Sequence, residues 1–349
     1  MVITGLLIIL LMVFILPFLV KKVEHNLEVF LFVMGVLSVT VSSIWNIGLI
    51  KESLLAPVNL QHPIVEVVFV SALIFKFLRP SIHHNIGRLA SVLGYKWFIF
   101  LAVVMLGLVS SIITAIIASL LLIEIISVLK LDRKTEIHLV IISCFSIGLG
   151  AALTPVGEPL STIAIAKLAG EPHNAGFFFL FNHLWKYIIP GIIALGIFAT
   201  IYLKNLRPAK DGLEPEDKSE SYTEIIIRTL KVYIFIVALM LLGEGFKPVI
   251  DEYVTKIPYQ LLYWINMVSA ILDNATLTAA EISPAMNIDQ IISILMGLLI
   301  AGGMLIPGNI PNIISAGKLR IKSTEWAKLG VPLGLVMMAV FFVLILAFH

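Results

Sequence analysis

The sequence predicts an all-α polytopic membrane protein with about eight transmembrane helices, two of them broken at mid-membrane, plus two re-entrant helical hairpins, arranged as two inverted-topology repeats. Three observations predict this class: the composition, several apolar runs of spanning length, and four apolar runs that one straight helix does not explain. Of the 349 residues, 59% are hydrophobic and 13% are charged, against roughly 25% charged in ordinary soluble domains. A mean hydropathy of +1.04 means more apolar surface than one soluble core can bury.

The composition also excludes several classes. A formal net charge of +2 gives no basic footprint for nucleic acid. Cys144 is the only cysteine, so an intrachain disulfide framework and a cysteine-based metal cluster are excluded. At the N-terminus, residues 1–20 are apolar and Lys21 and Lys22 follow them. A cleavable signal carries its charges before the apolar run, so this segment is expected to be the first transmembrane helix.

Straight spans need about 20 apolar residues to cross roughly 30 Å of hydrocarbon. The segments that fit this template are 2–20, 28–50, 62–80, 180–203, 225–243 and 328–348. Those that lie within residues 1–96 are expected to form a scaffold and a dimerisation surface.

Two runs have the length of a hairpin. Residues 97–129 carry one charge, Glu124, and are too long for one untilted span and too short for two full spans with a turn. Residues 257–288 repeat this length and are interrupted by Asp273, Asn274 and Thr276. Each segment is therefore expected to form a re-entrant helical hairpin.

Two other runs carry helix breakers at their centres. Residues 137–168 contain GLGAALTPVGEP, and residues 290–317 contain GGMLIPGNIP. Proline and glycine inside an apolar helix unwind it, so both segments are expected to be broken helices. Residues 180–203 and 328–348 would be the helices that close the two halves.

The distribution of charges predicts the orientation. Of the 24 Lys and Arg residues, 19 lie in five segments that the model of alternating spans puts on one side. These segments are 21–26, 76–96, 130–136, 204–231 and 318–328. Positive charge favours the cytoplasm, so both termini are predicted outside. The charged stretch 205–224 is predicted to be a cytoplasmic linker between two halves.

An internal repeat crosses this linker. Residues 150–155 (GAALTP) match residues 302–307 (GGMLIP), and Pro159 matches Pro311, at an offset of 152. The repeats would span 97–204 and 225–349 with opposite orientation in the membrane. Inverted repeats with broken helices are typical of secondary transporters. The alternative is chance similarity between segments rich in glycine and proline.

The same motifs resemble a known family. TPVGEP and IPGNIPN, the hairpin tip SAILDNATLT and the ending KLRIKSTEWAKLGVPLGL are similar to the ion transporter superfamily, in particular to arsenite permeases, D-type sodium/proton antiporters and a small prokaryotic branch of cation transporters. The resemblance covers residues 97–200 and 257–340. It implies a dimeric transporter in a prokaryotic plasma membrane that binds ions between hairpin tips and unwound helices. The tips SSIIT and LDNAT replace the family's Ser-Asn-Thr tips, which argues against dicarboxylate transport.

Asp273 is the main candidate for ion binding. A carboxylate deep in a hairpin is costly unless it faces a cavity, a partner or an ion. With Asn274, Asn309 and Asn312 it offers hard oxygen ligands of the kind a small cation such as Na⁺ prefers. One proton and one Na⁺ could compete for the same oxygens. The alternative is that Asp273 caps the second hairpin helix.

Glu158 and Glu124 are further candidates for proton coupling. Glu158 lies in the first predicted break, where an acidic residue could also simply favour a helix N-terminus. Glu124 could be a proton relay or could form a structural ion pair. Hydroxyls, amides and freed backbone groups would complete the site, although hydroxyls in membrane helices often bond their own backbone. These additional candidates are Ser110, Ser111, Thr114, Gly150, Thr154, Gly157, Ser269, Thr276, Gly303 and Gly308.

The favoured function is a Na⁺/H⁺ antiporter that works by alternating access. A Na⁺- or H⁺-coupled symporter of a small oxyanion or carboxylate is the alternative, because half-helix N-termini also attract anions. An enzyme is disfavoured because the sequence lacks HExxH, GxSxG and paired aspartate motifs. A channel would not need inverted repeats with two hairpins. No cofactor is expected apart from Na⁺ and H⁺ as transported or coupling ions.

Overall fold

The computed structural model describes residues 2–20, 23, 26–58, 64–203, 212–213 and 221–348. The regular secondary structure in this part of the chain is helical. Five of the described helices are long and apolar enough to cross a membrane, which is consistent with the predicted helical membrane protein. These five are Tyr95–Ile113, Arg133–Ala151, Phe179–Tyr202, Tyr222–Glu252 and Ser323–Phe348.

In the described part of the N-terminal quarter, the main helices are α1 (Val2–Leu19), α2 (Leu27–Ser42), α3 (Ile47–Leu55) and α4 (Ile64–Leu93). The prediction of one continuous span over residues 28–50 is wrong. Helix α2 ends where Ser43 adopts a left-handed conformation, with a φ of 55°. Helix α3 then begins as the side chain of Asn46 accepts a hydrogen bond from the amide of Leu49.

Helix α4 is longer than expected. The sequence predicted that a span over residues 62–80 would end in a loop over 76–96. The helix instead continues to Leu93 and ends at Gly94, which has a φ of 75°. The three basic residues Lys76, Arg79 and Arg88 do not stop the helix, which ends only before Gly94.

The first hairpin consists of α5 (Tyr95–Ile113) and α6 (Ala115–Leu129). Its tip is the single residue Thr114, which has a φ of 76°. The first predicted break is also present. Seven residues, 152–158, separate helix α7 (Arg133–Ala151) from α8 (Pro159–Leu168).

The rest of the chain continues with α9 (Phe179–Tyr202) and α10 (Tyr222–Glu252). Helix α10 extends nine residues beyond the predicted end at 243. The second hairpin has a first arm of α11 (Tyr259–Ile265) followed by a 3₁₀ turn over Asn266–Ala270, and a second arm, α12 (Asn274–Glu281). The second break separates α13 (Ile288–Gly302) from α14 (Ile310–Lys318), and α15 (Ser323–Phe348) closes the chain.

Two contacts between distant parts of the chain organise the centre. Helix α8 packs against α12, and α14 packs against α6. The half-helix that follows each break therefore contacts the second arm of the other hairpin. Helix α10 runs along α2 and also contacts α4 and α12, which joins the N-terminal helices to this centre.

Most of the predicted linker over 205–224 lies outside the described residues. Its described residues are 212–213 and 221–224. The prediction of a linker is wrong for residues 222–224, which form the first turn of α10. Gly212 and Leu213 contact the start of α7. The amide of Leu213 donates a hydrogen bond to the buried carboxyl of Glu136, and a second amide, that of Leu131, donates to the same carboxyl at 2.7 Å. This contact anchors the described linker residues to the helical domain.

Candidate functional site

Four short helices begin close to the centre of the molecule. Their N-cap residues are Thr114 before α6, Glu158 before α8, Asp273 before α12 and Asn309 before α14. The first two helix starts touch, because the amide of Ala115 donates a hydrogen bond to the carbonyl of Gly157 at 2.8 Å. A helix N-terminus carries a partial positive charge. The centre thus combines positive helix ends with the negative side chains of two of the caps.

The first break is held by contacts between backbones that only glycine allows. A Cβ atom on Gly150 would collide with the carbonyl of Gly107 on α5, and one on Gly157 would collide with the carbonyl of Ala151 at the end of α7. The hydroxyl of Thr154 donates a hydrogen bond to the carbonyl of Ser111. The unwound segment therefore lies directly against the tip of the first hairpin.

The hydroxyls of the first tip have backbone partners. Ser110 donates to the carbonyl of Gly107 at 2.6 Å and lies 3.0 Å from that of Ile147. Ser111 donates to Leu108 at 2.7 Å, and Thr114 accepts from the amide of Ile117 at 3.4 Å. These interactions agree with the backbone-bonding alternative for Ser110, Ser111 and Thr154. Thr114 differs because it also lines the central cavity.

Asp273 caps α12 and faces the cavity at the same time. Its Oδ2 accepts hydrogen bonds from the amide of Thr276 at 2.9 Å and from the hydroxyl of Thr276 at 3.0 Å. Both residues line the cavity. The capping alternative is therefore correct, and it leaves the carboxyl in a position to bind a cation or a proton.

Glu158 occupies the N-cap position of α8 without acting as a cap. Its carboxyl makes no hydrogen bond to the backbone of the helix, and its buried Oε1 has no hydrogen-bond partner in the described part of the chain. The side chain of Asn274 faces it, and the charge of Asp273 acts on it. The side chain is 3% exposed, so this carboxyl is a buried group that capping does not explain.

The second break uses its amides to join its own two halves. Asn309 accepts a hydrogen bond from the amide of Asn312 at 3.1 Å. The side-chain amide of Asn312 donates to the carbonyls of Gly302 at 2.9 Å and Leu305 at 2.8 Å. Neither asparagine lines the cavity. The proposed Na⁺ ligand set of Asp273, Asn274, Asn309 and Asn312 is thus divided between the cavity and the interior of this break, and it stays a prediction.

Tight packing surrounds the second break. A Cβ atom on Gly308 would collide with the carbonyl of Gly302, and one on Gly303 would collide with the ring of Phe145 on α7. The indole of Trp326 donates to the carbonyl of Gly303 at 3.2 Å. The buried Ser269 beside this break has a hydroxyl without a hydrogen-bond partner in the described residues.

A cavity of about 710 Å³ joins these elements. Asp273 and Glu158, at the starts of α12 and α8, line it together with Glu28, Arg228 and Lys231 on α2 and α10. Lys231 forms an ion pair with Glu28 at 2.8 Å and is 46% exposed. Most other lining residues are aliphatic. They include Val13, Leu31, Val68, Val232, Ile271, Ile306, Ile310 and Ile314.

The structure places Glu124 and Arg228 differently from what the sequence analysis indicated. Glu124 is buried on α6 but does not line the cavity, so the structure does not bring it together with Asp273. Arg228 was not singled out by the sequence, yet it lines the cavity. It lies in the predicted span 225–243, and the contact of α10 with α2 brings it to the cavity.

The described residues contain no group of three His, Cys, Asp or Glu side chains that could hold a metal ion. A family model described as "Protein of unknown function (DUF1646)" matches residues 3–348. The chain belongs to the DUF1646 family. No curated protein matches the chain. The DUF1646 match covers both breaks and both hairpins, so the central site lies entirely within the family's region.

Proposed function

We propose that this chain is a secondary active transporter that exchanges a monovalent cation, Na⁺, for protons. The observation that carries the proposal is the pair of carboxyls, Asp273 and Glu158, that line one cavity between apolar helices. Ionisable groups at such positions are costly and usually belong to ion or proton pathways. They lie close enough for the charge of one to act on the other.

Competition at this pair is sufficient for exchange. A deprotonated Asp273 offers a carboxylate oxygen to Na⁺, and a protonated Asp273 does not. Glu158 adds a second negative charge next to it, which strengthens attraction for a cation. Na⁺ bound from one side is then released when a proton takes its place on the other side.

Alternating access would follow from two inverted repeats. The two breaks are built alike at an offset of 151. Glu158 and Asn309 are both N-cap residues with nearly equal backbone angles. Glu158 has a φ of −158° and a ψ of 161°, and Asn309 has a φ of −154° and a ψ of 163°. Ser161 donates to the last carbonyl of α7 as Asn312 does to that of α13. At the start of the second half-helices, the structurally equivalent residues are therefore 151 positions apart, whereas the sequence comparison paired residues 152 positions apart.

The similarity of the breaks supports the wider expectation from the sequence. In it, about eight crossings and two re-entrant hairpins form a member of the ion transporter superfamily in a prokaryotic plasma membrane. Both termini would be outside, the linker would be cytoplasmic, and two copies would associate. The half-helix after each break packs against the hairpin of the other half, which supports a centre shared by the two halves.

One observation favours the second candidate, symport of a small anion with Na⁺ or H⁺. Arg228 and Lys231 line the cavity, and so do the N-cap residues of three helices, Thr114, Glu158 and Asp273. Lys231 is already paired with Glu28, however, and the two groups nearest the helix N-termini are carboxyls. The geometry therefore supports a cation better.

Transport by purified protein tests the proposal. The protein is reconstituted into vesicles that contain a pH-sensitive dye, and Na⁺, Li⁺, K⁺ and then small oxyanions and carboxylates are added in turn. We expect Na⁺ to drive proton movement in the wild type and not in Asp273→Asn, because the amide preserves the cap but removes the charge. A response to an anion with silence towards every cation would support symport and contradict the exchange.

A further inference from the structure

The cavity is much larger than a sodium ion needs. Its volume of about 710 Å³ lies in the range of roughly 300–1,000 Å³ that is typical of sites for small organic molecules. A water molecule takes up about 30 Å³ of the liquid, so a Na⁺ ion with several waters fills only part of this space. The exchange proposed above therefore leaves most of the cavity without a role.

The walls of this space are aliphatic. Ile271 lies directly before the cap of α12, Ile306 and Ile310 lie at the second break, and Val232 belongs to α10. Side chains of this kind offer no oxygen atom to an inorganic ion and no hydrogen bond to its water. Contact with hydrocarbon is favourable for them, because it removes apolar surface from water. The walls therefore fit a ligand that carries a hydrocarbon chain.

The charged groups of the cavity favour a cation. Among the described residues, its lining contains the carboxyls of Glu28, Glu158 and Asp273 and the basic groups of Arg228 and Lys231. With all five ionised, the three negative charges exceed the two positive charges by one. Glu28 and Lys231 form an ion pair at 2.8 Å, which leaves two carboxylates and one guanidinium. A ligand with a positive charge is therefore favoured over one with a negative charge.

Glu158 also has room for a hydrogen-bond donor of a ligand. Its side chain is 3% exposed, and its Oε1 has no hydrogen-bond partner in the described part of the chain. Asn274 is the side chain that acts on this carboxyl as a donor. A carboxylate has about four acceptor positions and an amide has two N–H groups, so acceptor positions remain. A buried acceptor without a partner is costly, and an ammonium group relieves this cost.

We propose that the cavity binds an amphipathic organic cation, an ammonium ion with a short hydrocarbon chain, and exchanges it for protons. The charged nitrogen lies at Glu158 and Asp273, and the chain packs against the aliphatic walls. This inference deepens the proposed function and rests on it for the exchange with protons, because it adds a class of substrate at the same carboxyls. No covalent bond of the substrate changes. A proton on the carboxyls gives way to the organic cation as it does to Na⁺.

Uptake of a radiolabelled organic cation tests the inference. Vesicles that contain the reconstituted protein are loaded at an acidic pH, diluted into a more alkaline medium, and given hexyltrimethylammonium. This cation has no proton to lose, so it neither crosses the bilayer as a neutral amine nor carries protons itself. We expect the wild type to take it up at least roughly tenfold faster than Asp273→Asn. Protein-free vesicles give the background.

Two matched compounds separate the charge from the chain. Tetramethylammonium has the same charge without the chain, and hexanesulfonate has the same chain with the opposite charge. One buried methylene changes an affinity about fourfold, so burial of two or more makes tetramethylammonium a competitor at least roughly tenfold weaker than hexyltrimethylammonium. We expect no competition from hexanesulfonate.

A variant of the wall tests where the chain lies. Val232→Phe fills part of the cavity and should raise the half-saturating concentration of hexyltrimethylammonium roughly tenfold, as a misfit in an apolar pocket does. Val343→Phe is the matched control, because Val343 is 62% exposed on α15 and does not line the cavity. It should leave that concentration unchanged. Only folded, active protein contributes to a half-saturating concentration, so a loss of folding does not imitate the effect.

The outcomes separate this inference from the proposed function. If the wild type exchanges Na⁺ for protons but does not take up the organic cation, the inference is wrong and the proposed function stands. If it takes up the organic cation without a response to Na⁺, the inference stands and Na⁺ is not the substrate. If it responds to neither, both fail. Equal uptake by Asp273→Asn, or equal competition by tetramethylammonium or hexanesulfonate, also contradicts the inference.

Discussion

The two helix breaks have the same backbone and different chemistry. Each has a Gly before its N-cap, at 157 and 308, and each glycine packs against the last residue of the preceding half-helix. The N-cap of the first break, Glu158, has a buried carboxyl oxygen without a partner, whereas Asn309 of the second break accepts a backbone hydrogen bond. Side chains join the two sides of both breaks, since Thr162 donates to the carbonyl of Pro155 at 2.6 Å in the first. At the N-cap, however, only the first break leaves a charged group for the cavity.

This difference shows how a repeated scaffold can serve an asymmetric task. The unwound backbone is a structural solution that both halves need. The negative charge is needed once, where α8 meets α12 and Asp273. If this view is correct, equivalent positions in the two breaks will respond differently to equivalent substitutions.

The largest difference is expected at the N-caps. Glu158→Gln should lower Na⁺/H⁺ exchange roughly tenfold, which corresponds to about 1.4 kcal/mol on the barrier, and should flatten its dependence on pH because one ionisable group is lost. Asn309→Gln at the equivalent position should cost about 1 kcal/mol of stability through the lost cap and leave the pH profile unchanged. Initial rates in reconstituted vesicles between pH 6 and 9 measure both effects.

Equal effects of the two substitutions on the pH profile would contradict the asymmetry. A wild-type pH profile in Glu158→Gln would mean that Glu158 has only a structural role in the break.

A smaller difference is expected one turn further along each half-helix. Asn312→Ala removes hydrogen bonds of 2.9 and 2.8 Å to two carbonyls and should destabilise the protein by about 2 kcal/mol. Ser161→Ala removes one bond of 3.3 Å and should cost less than about 1 kcal/mol. Thermal unfolding of the detergent-solubilised proteins compares them, and a larger loss in Ser161→Ala would contradict the view that the second break depends more on its side chains.

The breaks could be predicted from sequence because their causes are local. Several prolines and glycines occur close together in each predicted range, and the unwound segments lie there. Single prolines such as Pro190 and Pro332 lie inside the continuous helices α9 and α15. The end of α2 at Ser43 could not be predicted in this way, because a serine with a φ of 55° carries no comparable signal. The neighbouring helices determine that turn.

The candidate site was only partly predictable for a similar reason. Asp273 stands out because a carboxylate in an apolar hairpin is rare, and the structure places it at the cavity. The hydroxyl of Ser110 has the chemistry of an ion ligand, but it donates a hydrogen bond to a backbone carbonyl. Only the packed structure reveals this bond. Arg228 reaches the cavity through the contact of α10 with α2, two elements that are far apart in the chain, so no sequence pattern indicates it.

Binding of ²²Na⁺ to purified protein tests the central claim most directly, because it does not depend on reconstitution. Asp132 provides a matched control. It caps α7 by accepting from the amide of Thr135 at 3.2 Å, as Asp273 caps α12, but it does not line the cavity. We expect saturable, proton-competed binding to the wild type and to Asp132→Asn, and none to Asp273→Asn. Undiminished binding to a folded Asp273→Asn protein would contradict the account.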